Sequence, residues 1–165
     1  TAAALHLARR GARVLGLEQF ALAHDRGSSH GESRLIRKAY FESPAYVPLL
    51  ERAYALWDEL AELAGHPLLH RTGLLLVGRE DARGATERAR AVAEKHAIAV
   101  ETLDVDEARA RFPQLVIGAD DVLLWEPGAG YLEVERCVEA HARAAERAGA
   151  QLCFGERVLA IEQHG

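Results

Sequence analysis

The sequence predicts an α/β core that carries an α+β insertion. Three observations lead there. A helical pattern, a glycine, a buried apolar strand and a terminal acid follow one another over residues 2–18. Strand and helix patterns then alternate to the end of the chain, the order expected of layered α and β elements. Directly after the acid comes a loop of small and polar residues, at the strand edge where open α/β sheets hold their ligands.

Residues 2–10 form an alanine-rich helical pattern stopped by Gly11. ARVLGLEQ follows as a short buried strand, with Val14, Leu15 and Leu17 leading to Glu18. Helix, glycine, strand and acid make the second half of a βαβ unit. In the Rossmann pattern such an acid lies about 20 residues beyond a G-x-G-x-x-G turn and holds ribose hydroxyls. No such turn occurs in these residues, but Glu18 has the right distance for one ending just before Thr1. The spacing alone leaves Glu18 either a ribose-binding acid or a solvated strand-end acid.

Residues 21–33 are a glycine-bearing polar loop, and RLIRKAY after it is extended. Ser43 and Pro44 then start a helix as cap and first residue. Val47, Leu50, Tyr54, Trp57, Leu60, Leu63 and Ala64 keep helical spacing up to Gly65, which assigns the aromatics to the core. RTGLLLVG (71–78) is a buried strand, 80–96 a charged amphipathic helix, and AIAVETL (97–103) another strand. DVDEARARFP is a short helix capped by Asp104 or Asp106, with Pro113 just past its end. VLLWEPGAGYL (122–132) reads as strand, glycine turn and strand. Residues 133–148 form a helix closed by Gly149, and QLCFGERVLAIEQ predicts two strands turning near Gly155.

The composition is that of an ordinary globular protein, with 49% hydrophobic and 27% charged residues in 165. A net charge of −5 argues against nucleic acid, which needs a basic face. No apolar run reaches the roughly 20 residues that span a bilayer, so no membrane partner is expected. Cys137 and Cys153 sit in apolar patterns and read as reduced core thiols of a cytoplasmic protein. The eight histidines show no ligand spacing, since Pro67 interrupts His66 and His70. The chain has no methionine and opens inside a helical pattern, so a fragment of a longer protein is expected.

The loop GSSHGESRLIR (27–37) is where chemistry is concentrated. Gly27, Ser28 and Ser29 let backbone approach a ligand and offer hydroxyls and amides to anionic oxygens, and His30 and Gly31 continue that surface. Arg34 and Arg37 lie three apart. On a helical turn their guanidiniums point the same way, and on a strand to opposite faces. Two cations on one side require an anion between them, and a guanidinium grips a carboxylate with two parallel bonds. The bland alternative pairs Arg34 with Glu32 or Glu42 as surface charge.

The run GSSHGESRLIRKAYFESPAYVPLLERAYALWDEL closely resembles the same region of monomeric sarcosine oxidases and N-methyl amino acid oxidases. These belong to the glycine oxidase and D-amino acid oxidase group of flavoenzymes. The likeness extends through ARVLGLEQF, RTGLLLVG, the FP of ARFPQL, WEPGAGYL and ERV, in collinear order. The S-x-H-G-x-S-R-x-x-R stretch is its most specific part. Where the family often has Asp-Thr before the first arginine, this chain has Glu32-Ser33, which keeps the charge and the hydroxyl.

The resemblance implies FAD, held by a Rossmann-like FAD-binding domain that is incomplete here, with an inserted α+β substrate domain. Residues 1–68 and 133–165 would form the FAD-binding part and 69–132 part of the substrate domain. Glu18 would bind the adenosine ribose. Ser28, Ser29, His30 and Ser33 would border the flavin, Arg34 would face its ring, and Val158 would contact the adenine side. Arg37 would take the substrate carboxylate, so Arg34, Arg37 and His30 are the candidate catalytic residues. The family's oxygen-activating lysine, second carboxylate-binding lysine and flavin-linking cysteine have no counterpart in these residues, and neither Cys137 nor Cys153 stands in the attachment position.

The implied activity is oxidation of a secondary amino acid to an imine, with O2 reduced to peroxide, by a monomer when full length. A dehydrogenase passing electrons to a carrier, or a non-catalytic α/β interaction module, are the alternatives. A protonated amine cannot give up hydride, and neutralising one with a lysine-like pKa at pH 7 costs roughly 4–5 kcal/mol. Positive charge from Arg34 and Arg37 lowers that pKa. The isolated fragment is expected to be inactive.

Overall fold

The computed structural model describes residues 1–79 and 83–162, which divide into two compact units. Unit one comprises Thr1–Arg34, Trp57–Leu69 and 132–165, and unit two comprises Leu35–Leu56 and His70–Tyr131.

The described elements follow in the order α1 (Ala2–Arg9), β1 (Leu15–Glu18), β2 (Arg34–Ile36), α2 (Val47–Ala64), β3 (Leu69–His70), β4 (Leu74–Gly78) and α3 (Arg83–Lys95). Then come β5 (Glu101–Leu103), α4 (Val105–Arg111), β6 (Val122–Glu126), β7 (Gly130–Leu132), α5 (Val134–Arg147) and β8 (Gln151–Phe154). Residues 80–82, expected to open a helix, and Gln163, expected to end a strand, lie outside the described residues.

In unit one, β1 and β8 pair in parallel, from Leu15↔Gln151 to Glu18↔Phe154. Helix α1 packs on α5, and α5 on β8. Leu5, Ala8, Cys137, Ala140, Ala144 and Ala145 are buried. Alanines at helical spacing give α5 a shallow face that lets its neighbours approach closely. Strand β1 departs from its apolar pattern, because Leu15 is 60% and Leu17 48% exposed. Apolar sequence buries only what another layer covers, and no described element covers that face. Leu63, 42% exposed near the end of α2, departs in the same way. Cys137 is buried, and burial pushes its thiol up to about 11, whereas Cys153 is only half-buried.

Unit two is built on an antiparallel sheet in the order β4-β6-β5, with Leu76 opposite Leu124 and Leu103 opposite Leu123. Successive β6 side chains point to opposite faces, and both faces are covered. Leu124 packs with Ala39, Ala89 and Ala93, and Leu123 with Leu103, Ala108 and Ile117. This explains a strand that reads VLLWE without alternation. Gly73, in the left-handed region at φ 78°, has Trp125 lying where a Cβ would stand.

Most elements match their sequence signals. Ser43 caps the helix start through its hydroxyl, which accepts the Ala45 N–H at 3.2 Å, and Pro44–Tyr46 form a 3-10 turn ahead of α2. Asp104 is the α4 cap, accepting the Glu107 N–H at 2.7 Å, so Asp106 is not. Two strand expectations are corrected. AIAVETL is a strand only over Glu101–Leu103, because Ala97 turns left-handed at φ 53° and the Ile98 N–H stays bonded to Ala93 O. After Gly155 no second strand forms among the described residues: Val158, Leu159 and Ile161 are 51%, 86% and 91% exposed, with no described strand to pair with. The strands of VLLWEPGAGYL also part company, since β6 joins β4 and β5 while β7 joins β2 and β3.

Gly73→Ala in the full-length protein should cost about 2 kcal/mol or more, from the left-handed backbone and the displaced indole together. Urea unfolding monitored by tryptophan fluorescence checks it; unchanged stability would mean that Trp125 has other room.

Candidate functional site

Glu18 ends β1 and organises the loop that leaves it. Its Oε1 accepts the Phe20 N–H at 3.0 Å, and its Oε2 lies 3.5 Å from His24 Nε2. The Phe20 ring meets His24 edge-on at 5.0 Å, and the Arg26 guanidinium stands 4.8 Å from the centre of that ring. Two further backbone bonds tie this loop to the chain after β8: Gly155 N–H donates to Phe20 O and Glu156 N–H to Glu18 O. The Phe20 N–H is the main cause holding the Glu18 carboxyl below its ordinary range; partial burial opposes it and His24 adds to the lowering. His24 carries no pattern in the sequence that marks it. Only the fold of the loop brings it back to the acid.

A cavity of about 360 Å³ opens beside this acid, lined by Glu18, His24, Gly27, Ser28, Ser29 and Phe154 among others. A second of about 250 Å³ shares Ser28 and Ser29 and adds Arg34, Trp57, Cys137 and His141. Arg34 Nη2 donates to Ser28 O at 2.7 Å, which folds the arginine back on its own loop. The Gly31 N–H donates to Glu135 Oε1 at 2.7 Å and fastens the loop to α5. Unit one thus brings together Glu18, Ser28, Ser29 and Arg34. His30 and Ser33 are exposed and line neither cavity, and Val158 also lies outside both. His141 stands on the wall of the second cavity, where burial lowers its pKa against the bond between Nδ1 and Cys137 O at 2.8 Å.

Arg37 belongs to unit two, just beyond β2. Because Arg34–Ile36 is a strand, the helical-turn alternative for the two arginines falls away. The Arg37 guanidinium lies 4.5 Å from the Tyr40 ring centre and 5.1 Å from that of Phe41. Its Nη2 reaches Glu42 Oε1 at 3.5 Å, so Glu42 lies beside Arg37, where the bland alternative put it beside Arg34. The Arg37 side chain is only 18% exposed, and its buried Nε has no partner among the described residues. Glu126 was also missed by sequence reasoning. This carboxylate is 1% exposed and accepts the Lys38 and Ala39 N–H groups at 2.7 and 3.1 Å. An acid closing an apolar strand was its only signal.

The donor set of unit one suits the nucleotide end of a cofactor. A carboxylate at a strand end accepts ribose hydroxyls, while serine hydroxyls and loop amides donate to pyrophosphate oxygens. A cavity of about 360 Å³ is within the size range of small-molecule sites.

This arrangement is the fold of flavin-type amino acid oxidases. NikD, an amino acid oxidase essential for nikkomycin biosynthesis, superposes with a TM-score of 0.80 at 27% identity, over 93% of this chain and 40% of that one. Glycine oxidase from Geobacillus kaustophilus does so with 0.74 at 27%, over 93% and 43%. The chain belongs to the family of FAD dependent oxidoreductases, which it matches over residues 1–165. It is 47% identical over 164 residues to the monomeric sarcosine oxidase of Streptomyces avermitilis, covering 99% of this chain and 42% of that protein. It is 34% identical to the N-methyl-L-tryptophan oxidase of Yersinia pestis, covering 99% and 44%. The chain therefore spans less than half the length of these relatives.

Because the folded pKa of Glu18 lies below its unfolded value, its ionised form stabilises the fold above the unfolded value near 4.5. That contribution fades as pH falls through the folded value. Glu18→Gln should therefore lower stability at pH 7, with the gap closing in acid; chemical unfolding of both proteins across pH 3–7 checks the trend.

Proposed function

We propose that this chain is part of an FAD-dependent oxidase of secondary, N-methylated amino acids, with Arg37 as the anchor for the substrate carboxylate. The carrying observation is the state of Arg37. A guanidinium mostly withdrawn from water, braced by two rings, keeps a buried Nε without a described partner and only a long contact to Glu42. Buried donors call for an acceptor, and a planar guanidinium suits a carboxylate. The likeness to a sarcosine oxidase and an N-methyl-L-tryptophan oxidase supports this substrate class.

In this reading unit one carries the cofactor and unit two the substrate side. Glu18 accepts the ribose hydroxyls, with Val158 toward the adenine. Ser28, Ser29, His30 and Ser33 border the flavin, and Arg34 puts positive charge beside it. Bound FAD supplies the two-electron oxidation of the C–N bond. The chain's part is to orient the amino acid and favour its neutral amine. Arg37 pairs with the carboxylate, and its positive charge disfavours a protonated nitrogen nearby. The substrate loses a hydride equivalent and a proton to become an imine. O2 takes up two electrons and two protons and leaves as H2O2. The full-length protein is proposed to act as a cytoplasmic monomer. Among the described residues, no helix is long and apolar enough to cross a membrane.

Peroxide release by the full-length protein over a panel of N-methyl amino acids tests this reading, and flavin reduction without peroxide would favour the carrier-linked dehydrogenase. In the same protein Arg37→Ala removes a charged hydrogen bond of about 1.5–3 kcal/mol, so KM should rise about tenfold or more. Flavin content should stay the same. An unchanged KM would remove Arg37 from the site.

A further inference from the structure

We propose that Glu126 is a positioning residue for Arg37: its buried carboxylate clamps the two peptide groups that follow Arg37 and so sets where the guanidinium meets the substrate. This rests on the reading of Arg37 as carboxylate anchor.

A carboxylate this buried is unfavourable unless hydrogen bonds replace its water. Here each oxygen takes one backbone donor, Oε1 the Lys38 N–H at 2.7 Å and Oε2 the Ala39 N–H at 3.1 Å. Two adjacent donors demand two acceptors on one rigid group. A carboxylate meets that demand, whereas an amide would turn a donor toward one of them. Lys38 Nζ lies 4.9 Å and the Arg71 guanidinium 5.9 Å from the centre of the Tyr54 ring. The Tyr54 hydroxyl is buried, and burial together with the charge of Glu126 drives its pKa upward.

The clamp joins an irregular segment to a rigid one. Residues 37–39 belong to no helix or strand. Glu126 stands in the β4–β6 ladder opposite Leu74. Its carbonyl accepts the Ala129 N–H at 3.2 Å, and Ala129 O accepts the Gly73 N–H at 2.9 Å. The carboxylate is thus fixed by the sheet and passes that position to the peptide groups beside Arg37. The rings that brace the guanidinium, Tyr40 and Phe41, come from the chain directly after the clamped amides. Small displacements of a binding group are costly to orientation.

The test uses the full-length, flavin-loaded protein with sarcosine as substrate and acetate as a simple carboxylate probe. Glu126→Gln should raise KM about tenfold with little change in kcat, the signature of lost ground-state positioning. It should weaken acetate binding, read by calorimetry, by a similar factor. In the Arg37→Ala background the same substitution should add nothing, because both act through one group. If Arg37→Ala raises KM but Glu126→Gln leaves KM and acetate affinity unchanged, the clamp is only structural and the inference is overturned. Additive effects in the double variant overturn it too. If Arg37→Ala itself changes nothing, the anchor reading fails first. Should Glu126→Gln not fold, Glu126→Asp keeps the charge, draws the oxygens back by one methylene, and carries the same expected and overturning results.

Discussion

A polar group taken out of water must find a partner, and the segment around Arg37 is arranged around that constraint. Glu126 satisfies it with two neighbouring peptide groups, whereas Glu18 stays in contact with water beside the Phe20 N–H and the His24 ring. Arg34 is exposed and folds its guanidinium onto Ser28 O. Arg37 alone among the candidate charged site residues keeps a buried donor without a described partner. That unmet donor is the observation on which the proposed carboxylate anchor rests.

The two units solve different problems. Unit one presents a strand-end acid beside cavities lined by small residues, through a parallel strand pair backed by helices. Unit two is a sheet covered on both faces, stiff enough to hold a buried carboxylate at a set position. Its stiffness comes from packing. Leu123 and Leu124 enter opposite clusters, and the Trp125 ring occupies the space that Gly73 leaves empty. Rigid elements support a binding group better than a free loop can.

The places where the strand patterns misled share one cause. Leu15 and Leu17 carry a buried-strand signature yet stand exposed, and the apolar residues of the ERVLAI run form no strand at all. An apolar pattern records what a segment can bury, but burial and pairing need a partner surface. AIAVETL failed differently. Its first residues stay bonded to the end of α3, a local capping bond that outcompetes β pairing.

The sequence by itself determined the α/β order, the caps at Ser43 and Asp104, the strand-end acid Glu18 and the loop that bears Ser28, Ser29, Arg34 and Arg37. These signals are local: hydrophobic period, cap chemistry and turn residues act over a few positions. Only the tertiary structure decided that His24 faces Glu18, that Arg37 is braced by Tyr40 and Phe41, and that Glu126 holds the peptides 87 and 88 residues before it. Such contacts join groups through burial and hydrogen-bond demand, and neither has a period that can be read along the chain.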